Sequence, residues 1–355
     1  MDVRCRRLLK NLSRKLQTFT DQTMAQEKPR LSNLDALRVF AAFGVCMFHL
    51  NWYDDSGLSC LLVFGYLGVN VFFCISGYIT PLVLQWSRFT YPDTGKFLLS
   101  RFIRLYPAFA VMALIEIFIF ACGSPIMGYG QHLDQITWSR TLANFFLYAD
   151  FVGEKWYVAV FWTLGVEAQF VLAILLVFPL LSHSKQWVRV AVVLAWALAP
   201  LMVDKGPSIL TYMALYGMGM AVYLKLHKSL PEWVFLILLG VAFRSQYVAV
   251  SHNAAWTALG TALIVAYVPQ LSEKWVKRLK IDYLGPLSYS FFLLHITFGG
   301  AVMVHFKHFP NTWIYQFPAV LLATVFSVFI AALFHRWIEH PLHLYSRKLK
   351  AKRAS

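Results

Sequence analysis

Ten apolar stretches, each close to the length of one bilayer crossing, follow one another from residue 36 to residue 335 with mostly short polar breaks between them. In hydrocarbon every backbone amide must find its partner within the protein, which leaves α-helices or a closed barrel. Runs of this length, about 20 residues, match helices. The stretches fall at 36–53, 63–86, 102–122, 156–181, 189–203, 208–224, 233–250, 254–270, 284–305 and 313–335. The chain is 59% hydrophobic and only 14% charged, whereas a soluble domain carries about a quarter charged residues. This composition excludes a disordered chain, a secreted disulfide scaffold and a large soluble catalytic domain beside the membrane part. The expected fold is an all-α polytopic membrane protein of about ten transmembrane helices.

Lysine and arginine number 32 against 17 acidic residues, a net charge of +15. Such an excess suits nucleic-acid binding or basic cytoplasmic loops. With the N-terminus cytoplasmic, 26 of the 32 fall in inner segments and four (Arg140, Lys155, Lys205, Lys307) in outer ones. Arg38 and Arg244 lie within spans. The bias places both termini in the cytoplasm and leaves no call for a nucleic-acid partner. Residues 1–33 form a basic segment without an apolar run long enough for a signal-peptide core, so no cleaved signal is expected. Leu8, Leu12, Leu16 and Phe19, set among six basic residues, suit an amphipathic helix on anionic lipid, or equally a disordered tail. Residues 34–345 form the membrane domain and 346–355 a basic cytoplasmic tail. The one long outer segment, 123–155, carries Gly123, Gly128 and Gly130 and a short apolar piece at 142–151, read as a re-entrant or surface-lying helix. The five cysteines lack metal-ligand spacing, so no metal is expected; Cys60 and Cys122 fall near the outer face, where they could pair.

Ionisable groups inside the spans are costly and are functional candidates by default. Arg38 and His49 are 11 residues apart in the first span. On a helix that spacing puts both on one face, about 16 Å apart along the axis. Asp35 stands one turn before Arg38 and can orient it. Glu116 and Glu167 supply carboxylates in the third and fourth spans, either of which could hold the His49 imidazole as the acid does in a Ser-His-Asp triad. His295 is a second intramembrane imidazole, suited to substrate binding or to packing. Arg101 and Arg104 precede the third span at i, i+3; they suit phosphate oxygens or ordinary inner-face charge. Gly65, Gly68 and Gly77 on the second span permit close helix approach.

Taken in order, these segments resemble the acyltransferase-3 family of integral membrane O-acyltransferases. Leu34-Asp35-x-Leu37-Arg38 with His49 resembles its Arg-x10-His signature. The segment Gly65-Tyr66-Leu67-Gly68-Val69 through Phe72-Phe73 to Ser76-Gly77 is similar to its second-span motif. Arg101-x-x-Arg104-x-Tyr106-Pro107, Trp162 with Val166-Glu167-x-Gln169-Phe170, Ser288-Tyr289-Ser290 with His295, and Ile338-Glu339-x-Pro341 complete the set. Asn70 stands where the family often has Asp, and Ala168 where a second Glu is common.

The resemblance implies transfer of an acyl group, acetyl first among them, from cytoplasmic acetyl-CoA to a hydroxyl of an extracytoplasmic or lipid-linked glycan such as O-antigen. It places the chain in a bacterial cytoplasmic (inner) membrane, among membrane lipids. His49 becomes the base or acyl acceptor, with Glu116 or Glu167 beside it; Arg38, Arg101 and Arg104 become the acyl-CoA contacts, and Trp162 and His295 the acceptor contacts. No hydrolase-like domain is read after the membrane part, so the core completes the transfer itself or serves a separate extracytoplasmic transferase partner. The competing expectation is a multi-span transporter or flippase that uses the same ionisable residues as a path.

Overall fold

The computed structural model describes residues 31–52, 59–123, 132–203, 206, 208–268, 270–310 and 312–351. The amphipathic segment around Leu8–Phe19, and Gly128 and Gly130, lie outside the described residues. The chain divides into two units, 1–32 and 33–355, and the described residues belong almost wholly to the second.

Among the described residues the regular structure is entirely helical. The principal helices are α1 (Ser32–His49), α2 (Gly68–Trp86), α3 (Thr94–Cys122), α4 (Trp138–Phe145), α5 (Phe161–Leu181), α6 (Gln186–Leu198), α7 (Met213–His227), α8 (Glu232–Ala249), α9 (His252–Tyr267), α10 (Ile281–Phe306), α11 (Trp313–Phe334) and α12 (His340–Ala351). Among the described residues, seven helical stretches are long and apolar enough to cross a membrane: Val63–Trp86, Tyr91–Cys122, Phe161–Leu181, Ile209–His227, Glu232–Ala249, Ile281–Phe306 and Trp313–Ser346. The other three expected spans correspond to α1, which carries Asp35 and Arg38, and to the shorter α6 and α9. Among the described residues the chain is thus all-helical, a multi-pass membrane protein in which seven helices are long and apolar enough to cross on their own.

Two helix groups build the domain. In the first, α7 is surrounded by α2, α6, α8 and α9. Every residue of α7 from Ala214 to Leu224 is buried, as a helix apolar on all sides requires. Its contact with α2 is backbone on backbone. A Cβ at Gly77 would overlap the Tyr216 carbonyl oxygen, and one at Gly219 would overlap that of Cys74. The second group joins α1, α3, α10 and α11 through a core that includes Val45, Phe109, Met112, Phe291, Leu294 and Ala323. On the outside, Leu114 and Phe118, Leu172 and Leu176, and Leu321, Val325 and Phe329 are exposed at i, i+4 spacing. Such apolar stripes suit contact with lipid.

Two helix boundaries differ from the hydropathy reading. The third span was expected to begin at 102, with Arg101 and Arg104 before it or at its edge. Thr90 and Asp93 form a reciprocal cap, and Pro92 lies in the turn it opens. The helix therefore starts at Thr94 and carries both arginines well inside. The helix expected at 142–151 is α4 instead, begun by Thr137, whose side chain accepts the Arg140 amide at 3.1 Å. It is a short amphipathic helix with Trp138, Leu142 and Phe146 exposed and Arg140, Ala143 and Asn144 buried. Cys60 and Cys122 are both exposed and free.

Because Gly77 and the α7 backbone leave no room, Gly77→Leu should destabilise the protein by about 1–3 kcal/mol or more, the cost of overpacking a closed interface. Thermal unfolding of the purified variant in detergent measures this; an unchanged midpoint would refute the backbone contact.

Candidate active site

α1 runs unbroken from Ser32 to His49, so Arg38 and His49 stand on one face about 16 Å apart along its axis. Each marks one of two polar groups, and α1, α3 and α10 contribute to both.

At the arginine end three guanidiniums share one charged cluster. Arg38 interacts electrostatically with Asp35, Glu167 and Arg101. Arg104 does so with Arg38, Arg101, Glu339 and Tyr289. Arg101 is held by Nη1 to Glu167 Oε1 at 3.5 Å and by Nη2 to Thr80 Oγ1 at 3.0 Å. Glu167 also accepts the Tyr216 hydroxyl at 3.3 Å and a hydrogen bond from Ser76. Glu339 accepts the Ser290 hydroxyl at 2.5 Å and faces His335 Nδ1 at 2.9 Å. Tyr289 gives its hydroxyl to the Leu105 carbonyl at 2.8 Å, tying α10 to α3.

Glu167 thus holds Arg101 by an ion pair, and Asp35 and Glu339 lie close enough to Arg38 and Arg104 to act on their charge, while each guanidinium carries five N–H groups. The cluster is open: Arg104 is exposed, and the side chains of Arg101 and Glu167 keep 24% and 21% of their surface. Charge held by partners from several helices thus keeps part of its surface exposed.

At the histidine end, His49 is half-buried at the end of α1 and His295 is fully buried in α10. Their ring centroids are 5.4 Å apart. His295 opens a π turn, His295–Gly299, that interrupts α10. Its Nδ1 lies 2.9 Å from the Phe292 carbonyl and 3.2 Å from that of Phe291. Its Nε2 is buried and has no hydrogen-bond partner among the described residues. In the same turn Thr297 gives its hydroxyl to Glu116 at 2.8 Å. Gln316 and Ser59 meet Asn51, two residues past His49, at 3.0 and 2.8 Å.

The structure therefore brings Arg38, Arg101, Arg104, Asp35 and Glu167 together, and separately His49 with His295. Among the described residues neither Glu116 nor Glu167 hydrogen-bonds His49; Glu116 serves Thr297 and Glu167 serves Arg101 and Tyr216. Trp162 packs with Tyr212 at 5.5 Å and Phe73 at 6.1 Å between ring centroids, in an aromatic cluster that continues to Tyr216.

Sequence reasoning missed Arg140, which counted only as an outer-loop charge. It is buried, bonds the carbonyls of Gln135 (3.2 Å), Lys155 (2.9 Å) and Trp156 (3.0 Å), and lies over the Tyr157 ring at 4.5 Å. It locks α4 to the start of α5 and interacts electrostatically with Glu116. Its neighbours Gln135 and Asn144 were the available signal, since three carbonyls and an amide oxygen can be met by a fork of donors.

Residues 31–333 match the family described as an acyltransferase domain. Two frames thus converge on one class, and the chain belongs to the acyltransferase-3 family. It is 23% identical over 368 residues to the peptidoglycan O-acetyltransferase OatA of Listeria monocytogenes, covering 90% of this chain and 57% of that protein. It is 30% identical over 160 residues to the O-acetyltransferase OatA of Staphylococcus aureus, covering 43% of this chain and 25% of that one. The chain therefore spans little more than half of the first relative and a quarter of the second. No solved structure matches.

Replacing Arg140 with Lys removes the planar fork and strands buried carbonyls, each costing about 1–3 kcal/mol when unsatisfied. Arg140→Lys should thus lower the unfolding temperature in detergent by several degrees, and an unshifted curve would remove its anchoring role.

Proposed function

We propose that this chain is a membrane O-acyltransferase that moves an acetyl group from cytoplasmic acetyl-CoA to a hydroxyl of an extracytoplasmic or lipid-linked glycan. The observation that carries the reading is α1 itself. One unbroken helix of an acyltransferase-family domain holds Arg38 in an open arginine cluster and His49 beside a second imidazole about 16 Å away along its axis. With the basic inner bias orienting the arginine end to the cytoplasm of a bacterial inner membrane, the cluster faces the compartment that holds the donor.

The residues fit a phosphate-bearing donor. Arg104 is exposed, with its donors uncommitted to any hydrogen bond among the described residues, and guanidinium groups match phosphate oxygens in pairs. His49, half-buried at the far end, serves as general base: it takes the acceptor's hydroxyl proton as the oxygen attacks the thioester carbonyl. The carbon–sulfur bond breaks, and the proton passes to the departing thiolate. Attack by His49 itself, giving an acyl-imidazole, is the covalent variant of the same step. Glu167 holds the arginines rather than the imidazole in this scheme, and Trp162 and Tyr212 form an aromatic wall suited to a sugar face.

For the acceptor we favour a surface polysaccharide such as O-antigen; the peptidoglycan named for the Listeria relative is the second reading. A separate extracytoplasmic transferase would be needed only if the core delivers the acyl group without placing it.

Mass spectrometry of surface polysaccharide and peptidoglycan, with and without the gene, tests the whole. An acetyl increment on one sugar supports the reading and names the acceptor. Proton-coupled solute uptake with no acyl product would make the chain a transporter instead. His49→Ala should abolish acetylation while the protein still inserts and accumulates in the membrane; undiminished product would sink the assignment. Arg101→Ala with Arg104→Ala should raise the KM for acetyl-CoA about tenfold or more, the worth of one charge-assisted hydrogen bond. An unchanged donor dependence would return both arginines to the role of inner-face charge.

A further inference from the structure

We infer that His295 is the positioning residue for His49, doing through a neutral nitrogen what a carboxylate does in other base-assisted transfers. The inference rests on the O-acyltransferase reading and names the partner of its base. The proton on His295 is assigned by its surroundings: Nδ1 faces two backbone carbonyls, at 2.9 and 3.2 Å, and a carbonyl can only accept. Nδ1 therefore carries the hydrogen, and Nε2 is left as a lone pair. That lone pair is buried without a partner among the described residues, on a fully buried ring. A buried acceptor left unmet costs about 1–3 kcal/mol, so the site is built to receive a donor. The nearest ring to offer one is His49, with centroids 5.4 Å apart. An imidazole nitrogen lies about 1 Å from its ring centre, so nitrogens turned toward each other would be separated by about 3 Å, a hydrogen-bond length.

His295 keeps helical φ and ψ and its amide still bonds the Phe291 carbonyl, so its ring reaches back along α10 to the carbonyls of Phe291 and Phe292. The π turn His295–Gly299 opens at this residue and contains Thr297, whose hydroxyl engages Glu116 and so occupies that carboxylate away from the pair. His49 then donates one ring N–H to His295 Nε2, and its other nitrogen, left as a lone pair on a half-buried ring, takes the acceptor's proton. The bond to His295 fixes this tautomer and steadies the imidazolium while the O–C bond forms and the C–S bond breaks. The inner proton never leaves His49, so no carboxylate and no further proton carrier enters the step.

Full-length protein in membranes, with His295→Leu or His295→Gln, is assayed for transfer of radiolabelled acetyl from acetyl-CoA to membrane glycan. Leu fills the space without an acceptor and should lower kcat about 100-fold or more, the range of general-base assistance, with the donor KM within about twofold of wild type. Gln offers a carbonyl oxygen to the His49 N–H and should recover at least tenfold of that loss. A Leu variant within threefold of wild type, or a Gln variant no better than Leu, overturns the inference. Should the Leu variant fail to run as a folded species on gel filtration, His295→Ala with added imidazole replaces it. Restored kcat at unchanged donor KM supports the pairing, and no restoration overturns it. A wild-type protein that transfers no acetyl at all defeats the enzyme reading first, which separates the two failures.

Discussion

Three arginines cannot stand among apolar helices unless acceptors from several other helices come to meet them, and most of the architecture follows from that requirement. Arg38, Arg101 and Arg104 lie in α1 and α3; their partners Glu167, Thr80 and Glu339 come from α5, α2 and the turn before α12, and Tyr216 of α7 in turn meets Glu167. Burying a charge without a partner is far more costly than any single apolar contact is favourable. The cluster therefore fixes the relative rotation of these helices more tightly than their smooth apolar faces could. In lipid this matters especially, because apolar surface gains little from meeting other apolar surface there.

The same cluster separates two kinds of chemistry along one helix. At one end, three guanidiniums stand among carboxylates with part of their surface exposed. At the other, two imidazoles sit among Phe48, Phe291 and Phe292.

Much of this was legible in the sequence because it is local. The Arg38–His49 spacing needs only the pitch of one helix, and α1 is unbroken. The small residues of the second span announced a close contact, and Gly77 makes it with Tyr216. What stayed hidden depends on partners distant in sequence or on departures from the regular helix. The carboxylate expected at His49 could not be assigned from depth alone, since Glu116 and Glu167 are drawn off by Thr297 and Arg101. The π turns at His295 and His335 shift every later side chain by one position, and nothing in an apolar run marks where such a turn falls. Arg101 and Arg104 were placed at the edge of their span because hydropathy ignores the Thr90–Asp93 cap that starts the helix earlier.

The glycine contact between α2 and α7 acts as a gauge for the charged cluster. Thr80, which receives Arg101, lies three residues beyond Gly77 on α2; Tyr216, whose carbonyl Gly77 abuts, sends its hydroxyl to Glu167. Both ends of the Arg101–Glu167 pair are thus referenced to one backbone seam. Any side chain that pushed the seam apart would separate the two referents together, lengthening a pair that is already 3.5 Å. The tolerance on charge placement is set by two absent methyl groups, on helices that carry none of the arginines.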